Sequence, residues 1–291
     1  MNTYRSVFKQ SASNILKYTF PAFAKWGLGL GILLLMLISV GKVKSNWQFN
    51  DDVARLIANE TPISHKVFDY RQLDGLPEPV QLYFRRVLKS GQPYISNVVL
   101  SHTGFFKTDL KKDWRPIIGK EYFTADRPGF VWMGKTAAFT ARDMFINGEG
   151  RLIVSLFSII KFVDSQGPEL NRGELMRWLG ESVCFPTNLL PSAALKWCPI
   201  DERSARLEYS YQGTQINFMV TFNENHEIER MISMRNLGDG PRQKWVTTVS
   251  DYQLRDGVLI PMVLEAAWEL PEGYFPYARF AITEIRFNQA L

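Results

Sequence analysis

The chain has 291 residues, of which 46% are hydrophobic, 22% charged and 13% aromatic, and its formal net charge is +5. This composition predicts a globular protein, because disorder needs fewer apolar residues and a polytopic membrane protein needs more. With two cysteines and three histidines, a disulfide-rich scaffold and a four-cysteine zinc site are excluded. The sequence contains no nucleotide-binding or metalloprotease motif, so we expect no metal and no cofactor.

The positive charge is concentrated at the amino terminus. Residues 1–25 contain four basic residues and no acidic residue, which accounts for most of the net excess. Elsewhere Lys and Arg are mixed with Asp and Glu, whereas a nucleic-acid reader would cluster basic residues on the folded domain. We therefore expect a cytoplasmic basic N-terminus at 1–25 and no nucleic-acid partner.

A run of sixteen uncharged residues, Trp26–Gly41, lies between Lys25 and Lys42. As a helix it covers about 24 Å of a membrane core about 30 Å thick, and flanking lysines that reach the interface close the gap. This predicts a transmembrane signal anchor at 26–43. By the positive-inside rule, the N-terminus lies in the cytoplasm and the C-terminal part in the periplasm, on a single-pass inner-membrane protein.

Cleavage of this segment is the alternative. Ser39 and Gly41 are small residues at the −3 and −1 positions of a signal-peptidase site. The basic leader of 25 residues favours an uncleaved anchor over a short signal peptide, and both interpretations stay open.

The exported part divides into a juxtamembrane stalk at 44–72, with a short helix at 51–59 as one option, and a β-rich domain at 73–291. An amphipathic helix is predicted at 77–88 and a second at 171–184. Period-two alternation predicts strands at 94–107, 120–125, 129–135, 141–146, 206–211, 215–222, 227–235, 244–254, 258–270 and 279–287. Short turns between consecutive strands indicate an α+β fold, a large curved antiparallel sheet forming a half-barrel, with a few helices packed on one face.

Several stretches resemble a bacterial family classed as a domain of unknown function, with membrane-anchored members. They are 76–88 with Gly91-Gln-Pro93, 128–132, 164–169, 173–179, 185–187, 251–257 with Ile260-Pro261, 275–277 and 282–284. The resemblance covers about residues 73–288 and implies no activity.

A shorter pattern, Tyr252 followed by Asp256-Gly-Val-Leu-Ile-Pro261 and an alternating strand, is similar to the closing hairpin of LolA/LolB-type lipoprotein carriers and related mycobacterial lipid carriers. Those folds are half-barrels that hold acyl chains on the concave face. The similarity implies an apolar ligand on this sheet.

Charged residues near the second helix form the main polar cluster. Glu174, Arg177 and Glu181 are spaced i, i+3 and i+4, so they share one helix face. This pattern is typical of a solvated, salt-bridged face, and it also fits an acid–base or head-group site at the rim of the sheet, with Asp164 and Glu169 nearby.

The aromatic residues Phe130, Trp132 and Trp178 are typical of a core, and a surplus of such residues on a curved sheet would line a pocket for an apolar ligand. Cys184 and Cys198 lie fourteen positions apart, and in an oxidising compartment we predict a disulfide worth about 3 kcal/mol.

The leading hypothesis is a membrane-tethered, non-catalytic periplasmic domain that binds a lipid or other apolar ligand. Its expected ligand-binding residues are Phe130, Trp132, Trp178, Glu174, Arg177 and Glu181. One alternative is an envelope hydrolase using the Glu174/Arg177/Glu181 group. Another is a scaffold that binds a protein through a sheet edge.

Overall fold

The computed structural model describes residues 4–58, 64–238 and 240–290, with side chains from residue 26 onward. Three α-helices occur in this part of the chain: α1 at Tyr4–Ile57, α2 at Glu78–Val87 and α3 at Pro168–Glu181. Short 3-10 turns lie at Tyr70–Leu73, Ser182–Cys184 and Pro186–Leu189. The strands are β1 Asn97–Phe106, β2 Arg115–Thr124, β3 Gly129–Lys135, β4 Phe139–Ile146, β5 Glu149–Leu156, β6 Ile160–Gln166, β7 Leu195–Asp201, β8 Ser204–Tyr211, β9 Thr214–Phe222, β10 Ile228–Asn236, β11 Arg242–Arg255, β12 Val258–Leu270 and β13 Gly273–Phe287.

All of these strands belong to one antiparallel sheet. Its order is β6-β5-β4-β3-β2-β1-β13-β12-β11-β10-β9-β8-β7, so almost every strand pairs with its neighbour in sequence. The exceptions are β6 and β7, which stand at the two edges, and β1 also pairs with β13, which joins the two halves of the chain. Short turns between successive strands permit only this antiparallel arrangement, as the alternation in the sequence predicted.

The sheet is strongly curved. β4 and β8 stand nine positions apart in the strand order, which would separate them by about 43 Å in a flat sheet. Nevertheless, the rings of Phe145 on β4 and Tyr211 on β8 lie 6.4 Å apart. The two arms therefore curl toward each other over α3, and the predicted α+β half-barrel is confirmed.

The concave face is packed with side chains. α2 buries Val80, Tyr83, Phe84 and Val87 there, and proline in the first turn of α2 and α3 removes a donor that the helix would leave unpaired. Trp178 of α3 is 1% exposed. These side chains form one continuous core with the inward residues of the strands, so the concave face is filled by the protein itself.

The other, convex face carries the second half of α1. Phe49, Val53 and Leu56 lie on one helix face at spacings of four and three residues, and all three are buried. They pack on the outward residues Val131, Met133, Met144 and Ile153. Asp52 in the same stripe pairs with Arg142 of β4 and with Arg55.

Residues 44–57 therefore differ from the stalk expected at 44–72, because an apolar stripe fixes them to the sheet. The short helix considered at 51–59 is the C-terminal end of α1. Residue 59 itself lies outside the described residues.

Within the described chain, α1 is the one helix long and apolar enough to cross a membrane, by length and composition; Trp26–Ile57 has a mean hydropathy of 1.9 in its most apolar window. A signal sequence near an N-terminus has the same properties. The apolar side chains of α1 from Leu28 to Leu37 are exposed, whereas Gly41, Ser45 and Phe49 are buried against the folded domain. The apolar segment and the folded domain thus meet at Gly41.

Candidate functional site

The strand register brings two carboxylates to the two sides of one indole on the concave face. Glu121 of β2 is paired with Trp132 of β3, and Trp132 is paired with Asp143 of β4. Paired residues point to the same side of a sheet. The row Glu121–Trp132–Asp143 therefore faces α3.

Arg177 of α3 lies over this row and uses all of its guanidinium nitrogens. Nη2 donates to Glu121 Oε1 at 2.7 Å, Nη1 donates to Asp143 Oδ2 at 2.7 Å, and Nε donates to Glu181 Oε1 at 3.0 Å. Its guanidinium carbon lies 4.6 Å from the ring centroid of Phe130 and 5.3 Å from that of Trp132. The Arg177 side chain is only 11% exposed. We call Arg177, Glu121, Asp143 and Glu181 the Arg177 cluster.

A second buried arginine–glutamate hydrogen bond lies one helical turn away. Arg235 of β10 donates to Glu174 Oε1 at 2.9 Å, and the Glu174 side chain is 2% exposed. The guanidinium of Arg235 also covers the ring of Trp245 at 5.0 Å. These contacts tie α3 to the opposite arm of the sheet.

Burial has the largest effect on the pKa values of the charged residues on this face. It raises the pKa of Glu121, an effect that the charges of Glu181 and Asp143 strengthen and that of Arg177 opposes. Burial, with the nearby Asp143, raises the pKa of Glu174 to about 8. Burial alone would lower the pKa of Arg177, but its carboxylate neighbours hold it well above its ordinary value. Arg177 therefore stays charged, and burial shifts Glu121 and Glu174 toward their protonated forms; with a pKa of about 8, Glu174 mostly holds its proton at neutral pH.

His102 of β1 completes the layer beside Trp132. The indole Nε1 donates to His102 Nε2 at 2.8 Å, and the ring of Phe280 stacks on the imidazole at 4.1 Å. A Cβ at Gly119 would lie 2.1 Å from His102 Nε2, so only glycine leaves room for the imidazole here. Burial, with the charge of Arg177, lowers the pKa of His102 to about 4, so the imidazole stays neutral and can accept this bond.

The structure brings together most of the predicted ligand-binding residues. Phe130, Trp132, Arg177 and Glu181 are in the Arg177 cluster or against it, and Glu174 lies nearby on α3. Trp178 points elsewhere, and its Nε1 donates to the carbonyl of Thr124 at 2.8 Å. Because these side chains are buried against one another, the arrangement stabilises α3 on the sheet; ligand binding by them stays a prediction.

The two further acids considered with this group lie apart from it. Asp164 pairs with Arg151 at 2.8 Å and with Lys161 at 2.5 Å. Glu169 lies 3.9 Å from Arg242 and is 60% exposed. Sequence reasoning missed Glu121, Asp143, Arg235 and His102, because each comes from a distant strand. Among the described residues, no group of three or more His, Cys, Asp or Glu side chains could hold a metal ion.

Both cysteines are free thiols in the structure, so the predicted disulfide between Cys184 and Cys198 is absent from it. Cys184 is buried in the concave core after α3, where burial raises its thiol pKa. Cys198 lies half-buried on β7, next to Arg206 of β8. The thiols occupy different environments, and close spacing in sequence did not bring them into a bond.

A cavity of about 860 Å³ lies where α1 meets the convex face. We call it the convex cavity. Its lining comes from α1, from strands β1 to β4, β12 and β13, and from the β5–β6 turn; it includes Lys42, Ser45, Asn46, Thr103, Phe105, Ile117, Ile118, Lys135, Thr140, Ser158, Val263, Phe280 and Ala281. Most of this surface is apolar. Its volume falls within the ~300–1,000 Å³ of small-molecule sites.

The β5–β6 hairpin lies beside the cavity and against α1. A Cβ on Gly41 would lie 2.8 Å from Ile159 Cγ1 and 2.9 Å from the carbonyl oxygen of Ser158, so the helix and the hairpin touch at this glycine. Large apolar side chains are exposed around the turn: Phe157, Ile159, Ile160 and Phe162. We call these four residues the hairpin tip. They continue the exposed apolar surface of α1 onto the folded domain.

The two edges of the sheet are protected against pairing. β6 carries Lys161 and Asp164, and β7 carries Lys196 and Pro199. Charged side chains and proline on edge strands discourage addition of another strand. The edges therefore lack the uncharged surface that a scaffold binding through its sheet edge would need.

The described chain is thus an open, curved antiparallel sheet with an apolar N-terminal helix docked on its convex face. The model of a family of unknown function, DUF6544, matches residues 66–280. The chain belongs to this family, as the resemblance in the sequence indicated. A search of the curated proteins finds no match.

Two solved structures are similar at low identity. A LolA superfamily protein from Nitrosomonas europaea has 10% sequence identity and a TM-score of 0.40, with 72% of this chain and 94% of that chain covered. A porin-like protein from Bacteroides uniformis has 9% identity and a TM-score of 0.26, with 67% of this chain and 97% of that chain covered. The expected similarity to LolA-type carriers is confirmed as a weak likeness of fold.

Proposed function

We propose that the protein is a membrane-tethered, non-catalytic domain that binds a lipid or other apolar ligand in the convex cavity. One observation carries the proposal. The cavity is apolar, has a ligand-sized volume of about 860 Å³, and opens at the base of the apolar helix. From Gly41 to Asn46, which lines the cavity, α1 rises only about 7.5 Å. A ligand could therefore pass between a bilayer and this site without crossing much water.

The tether that we propose is α1, with its N-terminus in the cytoplasm and the sheet in the periplasm. Four basic residues and no acidic residue precede the apolar segment, as the positive-inside rule requires for this orientation. The packing of Phe49, Val53 and Leu56 on the sheet holds the domain close to the membrane surface. The inner membrane is the site this orientation implies.

The ligand site proposed here differs from the concave site expected from the sequence. The concave residues Phe130, Trp132 and Trp178 are buried at 0%, 6% and 1% exposure. The convex cavity instead is bordered by the exposed side chains of Phe105 and Ile118, at 51% and 58%. Exposed apolar surface next to a cavity marks a binding site more often than a filled core does.

A cavity-filling substitution tests the proposal. Ala281 is exposed and lines the cavity, so Ala281→Trp should place an indole in the ligand space without changing the core. Native mass spectrometry of the full chain in neutral detergent, with organic extraction, should find lipid on the wild type and at least about fivefold less on this variant.

The matched control is Ser210→Trp, an exposed strand position on β8 outside the cavity lining. It should retain as much lipid as the wild type. A wild-type chain that never carries an apolar ligand, or equal loss in both variants, would contradict the proposal.

The hairpin tip provides a test of the membrane position. We expect Ile160, 61% exposed, to lie in the bilayer interface. A nitroxide on Ile160→Cys, in a Cys198→Ser background, should collide more with oxygen than with a water-soluble nickel complex when the full chain is in nanodiscs. Cys184 should remain unlabelled because its thiol is buried.

The control site for this label is Lys196→Cys, an exposed position on β7 at the opposite edge of the sheet. A nitroxide at this site should collide more with the water-soluble nickel complex than with oxygen. If both sites favoured the nickel complex equally, the hairpin tip would not touch the membrane.

A further inference from the structure

Two lysines from different elements meet at the convex cavity. Lys42 comes from α1, just after the apolar segment, and Lys135 ends β3; both line the cavity. Lys135 Nζ donates to Asn46 Oδ1 at 2.8 Å, which holds its ammonium on the side of α1. The fold therefore places two positive charges at the end of the cavity nearest the apolar helix.

These two charges lack an acidic counterpart. Among the described residues, no carboxylate lies within 4 Å of either ammonium, whereas Arg279, also at the cavity, pairs with Glu265. Burial lowers the pKa of Lys135, and the charge of Lys42 lowers it further. Two lysines that repel each other beside an apolar cavity are stabilised by an anion bound between them.

The rest of the cavity wall suits a hydrocarbon chain. Phe105, Ile118 and Val263 border it, and the hairpin tip adjoins it at Ser158. A cationic end and an apolar wall together match an amphiphile with a negatively charged head group. The cationic end lies where α1 would leave the membrane, at the level at which lipid phosphates stand.

We propose that the convex cavity binds an anionic lipid, with its phosphate between Lys42 and Lys135 and an acyl chain along Phe105 and Ile118. This inference rests on the proposed function and adds the chemical class of the ligand. Zwitterionic lipids of the same chain length should bind more weakly, because the cation of their head group is repelled by the two lysines.

The experiment compares two lipids on the full chain. Protein in neutral detergent is mixed with equal amounts of phosphatidylglycerol and phosphatidylcholine, and native mass spectrometry counts each lipid retained. The wild type should retain phosphatidylglycerol about tenfold over phosphatidylcholine. The double variant Lys42→Gln/Lys135→Gln should lose most of that preference, since each tenfold corresponds to about 1.4 kcal/mol. Lys135→Gln alone, on the sheet, should lose part of it.

The matched control is Lys44→Gln/Lys120→Gln. It removes the same charge from α1 and from a convex-face strand, at residues outside the cavity lining. It should keep the wild-type preference. Equal loss in both double variants would overturn the site, since it would mean attraction by net charge alone.

The remaining outcomes separate the inference from the proposed function. If lipid is retained without a head-group preference and Lys42→Gln/Lys135→Gln changes nothing, the anionic site is wrong while the lipid-binding function stands. If no lipid is retained by the wild type, both fail. If inorganic phosphate at millimolar concentration displaces the lipid fully, the site recognises free phosphate and the lipid assignment is overturned; lack of displacement supports it.

Discussion

Replacing Arg177 with methionine is expected to lower the free energy of unfolding by about 3–5 kcal/mol. Methionine fills similar space but leaves Glu121, Asp143 and Glu181 without the guanidinium that now donates to all three. Removing one partner of a buried ion pair is severe because the remaining charge has lost both water and its counterion. Thermal or denaturant unfolding of the full chain in neutral detergent measures the change.

Glu121→Gln is the informative control for this prediction. Burial raises the pKa of Glu121 and so favours the protonated carboxyl, and an amide has nearly the same shape and hydrogen-bonding capacity as that neutral form. Its oxygen can still accept from Arg177, and its NH2 can donate toward Glu181. We expect a loss of less than about 1 kcal/mol. If Glu121→Gln were as damaging as Arg177→Met, Glu121 would be ionised in the folded protein.

Most strands were predictable because alternation is a local property of the chain. β3 was predicted with its observed bounds, Gly129–Lys135, since each apolar residue there points to one of two packed faces. The β5–β6 hairpin was missed. Its sequence is apolar almost without interruption, because one side packs on the sheet and α1 while Phe157 and Ile160 on the tip stay exposed. Such a run shows no period-two alternation, so the two strands could not be recognised from the sequence.

β7 was missed for a different reason. Pro199 lies within Leu195–Asp201, and proline is unusual inside a strand since it cannot donate to a neighbouring strand. β7 stands at the edge of the sheet, where one side of its backbone needs no partner. Proline is tolerated in β7 because the strand lies at the edge of the sheet, and the local sequence does not show that position.

The site was only half predictable. The helix spacing of Glu174, Arg177 and Glu181 placed them on one face, but a charged face was expected to meet water. Its burial depends on Glu121 and Asp143, which lie 56 and 34 positions from Arg177 and are aligned only by strand register. One available signal was that Glu121 occupies an inward position in the alternating β2, two residues before the buried Phe123.

The convex cavity could not be predicted because α1 was divided into an anchor and a stalk. The stripe Phe49, Val53 and Leu56 begins eight positions after the strongly apolar run ends at Gly41, so the change from an all-round apolar helix to a one-sided one is hard to see in the sequence. Once that stripe is docked on the sheet, Lys42 is carried to the same place as Lys135. The proposed ligand site depends on this docking.

The stability of the protein is expected to fall as pH rises from about 4.5 to about 8, with Glu174 as a principal cause. Burial raises the pKa of Glu174 from 4.5 to about 8 in the folded state, so in this window the folded chain holds a proton that the unfolded chain releases. The stabilisation that protonated Glu174 gives to the folded state is therefore complete below pH 4.5. It is lost as pH rises through 8, at up to roughly 1.4 kcal/mol for each pH unit.

Glu174→Gln should flatten this part of the profile. The amide cannot ionise, and its oxygen can still accept from Arg235, which donates to Glu174 Oε1 at 2.9 Å. At pH 8.5 the variant should be more stable than the wild type, and near pH 4.5 the two should agree. Denaturant unfolding from pH 4.5 to 8.5 measures both curves.

Glu169→Gln is the control, because it makes the same change in the first turn of the same helix at an exposed position; its profile should follow the wild type. A parallel fall in Glu174→Gln and wild type would assign the pH dependence to other groups, Glu121 first among them.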